Sequence, residues 1–282
     1  MTNAKTVLVT GASGFIGSKL VIELRNNGWD VICAVRQPVA VNEVYLDLTD
    51  AESIKNLKSI KKLDAIVHLA AMIGFNNETL DDLFVSNVQA TSLLLDIAAH
   101  WNASFVFASA ALIADSNASL ITSNLDEKPD SAYMQSKLMA ENLINTSQVK
   151  SSILRISGVY GLDGPSHLGL NRAISLIKNS ELPIQIGNGN AKRNYLYVKD
   201  LAAIIVNALE NNIFGTHLIA GKESLRIADM LQMLCDKFIP GKKPLIRAGN
   251  EAKDQLVTPS PLLPGTHNFK DAVEDMYREV NK

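Results

Sequence analysis

Apolar positions along the first 160 residues alternate between two periods. A short β-branched run at residues 5–10 predicts a strand. Behind it Phe15, Ile16, Leu20, Val21 and Leu24 recur at helical spacing, and Asn26-Asn27-Gly28 ends that helix. The same reading predicts strands at 30–35, 65–69, 103–109 and 151–156, and helices at 51–60, 79–100 and 131–147. Strands that alternate with helices make successive βαβ units with right-handed crossovers, hence an α/β fold on a doubly wound parallel sheet. The rhythm changes after Gly161. Gly164-Pro165, Pro183 and Gly187-Asn188-Gly189-Asn190 cut the chain into shorter pieces, with helices expected at 198–210 and 224–238. Five prolines in the last forty-odd residues, Pro240, Pro244, Pro259, Pro261 and Pro264, predict a mostly irregular end. The pattern therefore predicts a large domain over residues 1–161 and a smaller C-terminal lobe over 162–282, with some later segments returning to the first domain.

Composition narrows the partners. The chain has 282 residues, 47% of them hydrophobic and 20% charged, as in ordinary soluble globular proteins. The net charge is −2 and Lys and Arg are scattered, so neither nucleic acid nor an anionic membrane is the expected partner. Cys33 and Cys235 lack CxxC spacing and the five histidines lack ligand spacing, so no disulfide and no metal site is expected. Met1-Thr2-Asn3-Ala4-Lys5 runs straight into a strand without the features of a signal peptide, and no apolar run reaches membrane-spanning length. These features lead us to expect a cytoplasmic protein with a small-molecule substrate.

The first chemical signal is Thr10-Gly11-Ala12-Ser13-Gly14-Phe15-Ile16-Gly17, between a strand and a helix. Glycine permits the sharp turn and lets a pyrophosphate approach the main chain, and the helix N-terminus then offers its N–H groups to the phosphates. The spacing in this context predicts a nicotinamide dinucleotide held by Gly11, Ser13, Gly14, Phe15, Ile16 and Gly17 on a Rossmann-type sheet. At the end of the second strand an acidic residue would bind the ribose 2′-OH of NAD, whereas arginine accommodates the 2′-phosphate of NADP. The chain has Val35-Arg36-Gln37-Pro38, so Arg36 favours NADP over NAD.

Tyr133-Met134-Gln135-Ser136-Lys137 is the second signal. Tyr133 and Lys137 are four apart and share a helix face. A nearby ammonium and an oxidised nicotinamide both favour the phenolate. Tyr133 could then exchange a proton with a substrate hydroxyl or carbonyl while hydride moves to or from the cofactor.

Together these motifs resemble the extended short-chain dehydrogenase/reductase family, the NAD-dependent epimerase/dehydratase group. Other pieces follow in the right order. Asp47-Leu48 is similar to the pair that meets adenine, and His68-Leu69-Ala70-Ala71 to the loop lining the cofactor. Asn87-Val88 with Thr91 resembles the family's Asn-Val-x-x-Thr helix. Arg155 through Val159-Tyr160-Gly161 resembles the stretch closing over the nicotinamide, and Arg193 through Val198-Lys199-Asp200 a segment that meets nucleotide-sugar phosphates. The resemblance implies that Lys137 also binds the cofactor ribose, that Leu69, Ala70 and Ala71 line the cofactor, that Asn87 and Arg193 serve the substrate, and that two copies pair through a four-helix bundle.

The chain also departs from the family. The hydroxyl residue expected at the end of the fourth strand falls on Ala110, with Ser109 one residue earlier. Ser109 is the catalytic candidate in its place, beside Tyr133 and Lys137, if a local irregularity at the strand end turns it inward, because neighbouring side chains on a strand face opposite ways. Loss of one donor to a developing oxyanion costs about 10²–10³ in rate. Dehydratases of the family carry Asp-Glu just after that hydroxyl, where this chain has Ala111-Leu112. Asn194 stands where the family usually has Asp, and Gly158 where it often has Asn. The sequence thus favours a C4 epimerase or 4-ketoreductase of a nucleotide sugar over a dehydratase. Two alternatives stay open, an NADP-dependent reductase of a small non-sugar carbonyl compound and a cofactor-binding protein with weak or lost turnover.

Overall fold

The computed structural model describes residues 4–74 and 78–281. The reading of Met1-Thr2-Asn3 lies outside those residues. A seven-stranded sheet runs in the order Gly215–Ile219, Ser151–Ile156, Ser104–Ala110, Ala65–His68, Thr6–Thr10, Asp30–Val35, Glu43–Tyr45. Thr6–Thr10 sits near its centre, with Val7 level with Val31 on one side and Ala65 on the other, and both pairings are parallel. Val7, Leu8 and Val9 are wholly buried, as parallel strands covered on both faces require.

Helices Phe15–Asn26, Ala90–Trp101 and Ala132–Thr146 belong to the same layered unit. One core cluster joins Leu8, Ile66, Phe105 and Phe107 of the strands to Leu94, Ile97, Ala140 and Ile144 of two of these helices. Among the described residues no helix is long and apolar enough to cross a membrane.

Several boundaries differ from the sequence expectation. The long helix expected at 79–100 is interrupted by a π-helical turn at Phe84–Gln89, between Leu80–Leu83 and Ala90–Trp101. The expected strand at 103–109 extends through Ala110. The C-terminal end is not mostly irregular, because Phe269–Val280 is a helix. Phe269, Ala272, Val273 and Met276 are buried along one face, and Asn268 caps its start by accepting from the Asp271 N–H. The prolines of that region all precede the helix and do not interrupt it.

The chain forms two compact units. One contains residues 1–116, 126–155 and 201–217, and the other residues 117–125, 156–200 and 218–282.

Candidate active site

The glycine turn is fixed by crowding. Gly11 has φ +68°, and a Cβ there would press on Ala70 at 3.0–3.4 Å. A Cβ on Gly17 would lie 2.1 Å from the Gly11 carbonyl oxygen, so no side chain fits. Gly14 caps the following helix without a side-chain bond, and the first turn, which begins at Phe15, carries no acidic residue. Ser13 and Gly14 are exposed and Phe15 and Ile16 partly so. The positive end of this helix thus carries neither a side-chain cap nor a carboxylate, which fits a dinucleotide's pyrophosphate.

The loop after Ala65–His68 is tied to this turn. Thr10 Oγ1 accepts from the Ala70 N–H at 3.2 Å and shares a 2.7 Å hydrogen bond with His68 Nδ1. The His68 ring packs against Phe105 and Phe107. Burial, with Lys137 adding to it, lowers its pKa to about 3, so the ring is neutral at physiological pH. Leu69, Ala70 and Ala71 remain partly exposed beside it. Arg36 is exposed just past Asp30–Val35, and its charge helps lower the pKa of Asp47, after the larger effect of hydrogen bonds from Thr49. Leu48, next to Asp47, is half-buried.

Tyr133 and Lys137 lie on the first turns of Ala132–Thr146, whose start is capped by Ser131. Lys137 is 2% exposed, and its Nζ donates to the Ala108 carbonyl at 2.8 Å. The same nitrogen sits 4.5 Å above the Phe107 ring and 5.8 Å from the Tyr133 ring centre. Burial drives both groups towards neutrality. It pulls Lys137 down to about 7, partly offset by Glu141, and pushes Tyr133 up to about 12. The expected lowering of the phenol by the ammonium is thus outweighed by desolvation in this state.

Two of the expected site residues have hydrogen-bond partners that the sequence did not suggest. The strand stays extended through Ala110 (φ −124°, ψ 133°), so no irregularity turns Ser109 inward. Ser109 instead donates to Glu141, one helical turn beyond Lys137. Asn87 is 2% exposed and engaged within the protein. Its side chain accepts from Met72 N–H and donates to the Met72 carbonyl, both at 2.8 Å, and to Ser136 Oγ at 3.0 Å. Asn87 therefore ties the loop at Met72 to the helix carrying Tyr133.

The sequence reading missed Glu141. It is 1% exposed and accepts two hydrogen bonds from Arg155 Nε at 3.1 Å and one from Nη2 at 2.6 Å. Arg155 also pairs with Glu127. The i, i+4 step from Lys137 to Glu141 was a signal available in the sequence.

In the second unit Arg193 lines a small recess with Tyr160, Tyr195, Glu223, His267 and Phe269. Its Nη1 is committed to the carbonyls of Lys192 (2.9 Å) and Lys253 (2.6 Å). Asn194 explains its own departure from the family. Its amide donates to the carbonyls of Gly221 and Val257 and accepts from the Val257 N–H, and a carboxylate could not donate.

Residues 7–220 match the family described as NAD dependent epimerase/dehydratase. GDP-6-deoxy-D-talose 4-dehydrogenase of Aggregatibacter actinomycetemcomitans is 26% identical, over 82% of this chain and 79% of its own length. dTDP-glucose 4,6-dehydratase of Escherichia coli is 26% identical, over 95% and 85%. The crystal structure of UDP-N-acetylglucosamine 4-epimerase from Bacillus cereus superposes with TM-score 0.85 at 25% identity, covering 99% of this chain and 100% of that one.

Proposed function

Because this chain belongs to the NAD-dependent epimerase/dehydratase family, we propose that it performs hydride-transfer chemistry at position 4 of a nucleotide-activated sugar, as a C4 epimerase or 4-ketoreductase. The observation that carries this reading is the partly exposed Tyr133 and the buried Lys137 on one helix face, beside a strand end that offers no acid. The names of the three relatives share a nucleotide sugar and its position 4. An epimerase or ketoreductase needs a proton exchanged at the reacting oxygen, which Tyr133 Oη supplies. A dehydratase must also eliminate water, and Ala111 and Leu112 have no group that could take or give that proton.

When bound, the nicotinamide dinucleotide supplies the hydride acceptor or donor, and its oxidised ring adds a positive charge. Gly11, Ser13, Gly14, Phe15, Ile16 and Gly17 hold its pyrophosphate in this reading. Asp47 and Leu48 meet the adenine, Leu69, Ala70 and Ala71 line the cofactor, and Lys137 meets its ribose. Arg193, whose Nη1 serves two carbonyls and whose side chain also hydrogen-bonds Tyr195, would turn its remaining donors to a substrate phosphate. Ala110 leaves the reacting oxygen without the usual second donor, so turnover is slow for the family.

Arg36 favours NADP, and that preference favours reduction, since a reductase consumes its cofactor and an epimerase recycles it. The second reading, a reductase of a small non-sugar carbonyl, rests on the same arginine. Thermal shift and turnover assays with NADPH or NADH, each with UDP-, dTDP- and GDP-sugars, separate the readings. NADPH should stabilise more than NADH, and at least one nucleotide sugar should add a further shift. No shift from any nucleotide sugar with cofactor present would overturn the sugar reading.

A further inference from the structure

The Tyr133–Lys137 pair sits beside a second buried charge cluster that its chemistry does not use. Glu141 follows Lys137 by one turn of Ala132–Thr146, so the two side chains leave the same face. Ser109 donates to Glu141 from the neighbouring strand, and Arg155 grips both carboxylate oxygens from the next strand. Glu127 closes the row on the far side of Arg155. The charges run Lys137⁺, Glu141⁻, Arg155⁺, Glu127⁻, and the first two members are almost wholly buried. The groups facing Lys137 can be named element by element. His68 faces it from Ala65–His68, the Phe107 ring and Ala108 carbonyl from Ser104–Ala110, and Tyr133 and Glu141 from its own helix. His68 is neutral, so Glu141 is the one anion among them.

We propose that Glu141, fixed by Ser109 and Arg155, is a positioning residue that keeps Lys137 a seated ammonium in its dry site. Burial alone favours the neutral amine, which would drop the Ala108 contact to a weaker bond and leave Tyr133 without a cation. Glu141 opposes this, and Ser109 and Arg155 hold its carboxylate in place. Ser109 thus serves the site at one remove, through Glu141 and Lys137, instead of touching substrate. With Ala110 contributing no hydroxyl, the ammonium is the remaining fixed charge at the reacting end of the helix. The proposal rests on the Tyr133–Lys137 reading of the reaction.

The test follows the Lys137 side chain by NMR in lysine-labelled, cofactor-free protein, with the resonance assigned by its loss in Lys137→Met. Native Lys137 should titrate at about pH 7 or above. Glu141→Gln keeps the shape and removes the charge, and should lower the proton affinity of Lys137 about tenfold or more. Glu141→Asp keeps the charge and should restore most of it, which a merely structural role for Glu141 does not predict. At pH 8 the Gln variant should lose kcat about tenfold with KM nearly unchanged. A Lys137 midpoint that is the same in the native, Gln and Asp proteins overturns the proposal. So does a native midpoint below about pH 6, which needs no variant to fold. If the midpoint moves as stated while Tyr133→Phe remains active, the network stands and the reading of the reaction falls.

Discussion

Thr6–Thr10 and Ser104–Ala110 are both parallel strands that end beside the proposed chemistry, and their ends are built on different principles. The first is held by the main chain. Gly11 and Gly17 are there because neighbouring backbone occupies the space where a Cβ would go. The second is held by side chains. Ala108 gives its carbonyl to Lys137, Ser109 gives its hydroxyl to Glu141, and Ala110 gives nothing polar at all. A backbone-built end tolerates few residue types and has a fixed spacing. A side-chain-built end depends on partners 29 and 32 residues away, and its members acquire their roles from those partners.

Three measurements probe this contrast, in order of expected effect. Tyr133→Phe removes the group on which proton exchange rests when Ala110 supplies no donor. Turnover should fall about 10³-fold while cofactor affinity stays within a few-fold, by kinetics and fluorescence titration. A variant with native turnover would show that the side-chain-built end does not carry the chemistry. Gly17→Ala forces the turn apart, and about 1–3 kcal/mol of stability should be lost, together with roughly a hundredfold in cofactor affinity. Unchanged melting and binding would mean that the turn relaxes more readily than its crowding implies.

The third measurement concerns His68, which touches both ends through Thr10 and Phe107. Its pKa lies near 3 in the folded protein, below the ordinary 6.5 of the unfolded chain. Between those values the unfolded chain takes up a proton that the folded one refuses. The stability contribution is therefore complete above about pH 6.5 and is lost as pH falls towards 3. Denaturant unfolding should show native protein losing about 2 kcal/mol more between pH 7 and pH 5 than His68→Gln. Equal losses would place a charged or solvated His68 between the two ends.

This contrast also explains what was legible in the sequence. The glycine turn, the strands at 30–35 and 151–156 and the helix carrying Tyr133 could be read because each has a local cause: spacing, β-branching or a cap. The partners of Asn87 and Ser109 were not legible for one shared reason. Both residues were assigned by position in a family pattern, and both have hydrogen-bonding capacity taken up by partners far away in sequence, Met72 and Ser136 in one case and Glu141 in the other. The C-terminal helix was missed because the prolines ahead of it dominated the reading, although Phe269, Ala272, Val273 and Met276 already traced an apolar stripe.

The π-helical turn at Phe84–Gln89 makes chain length itself a constraint. A π turn holds one more residue than an α turn, and each α-helical residue advances the chain by about 100°. Deleting one residue there would close the turn to ordinary α geometry and rotate Leu80–Leu83 by about that angle against Ala90–Trp101. Asn87 would then lose its register with Met72 and Ser136. The surplus residue thus acts as a spacer counted in degrees, and the number of residues at 84–89 is constrained alongside the identity of Asn87.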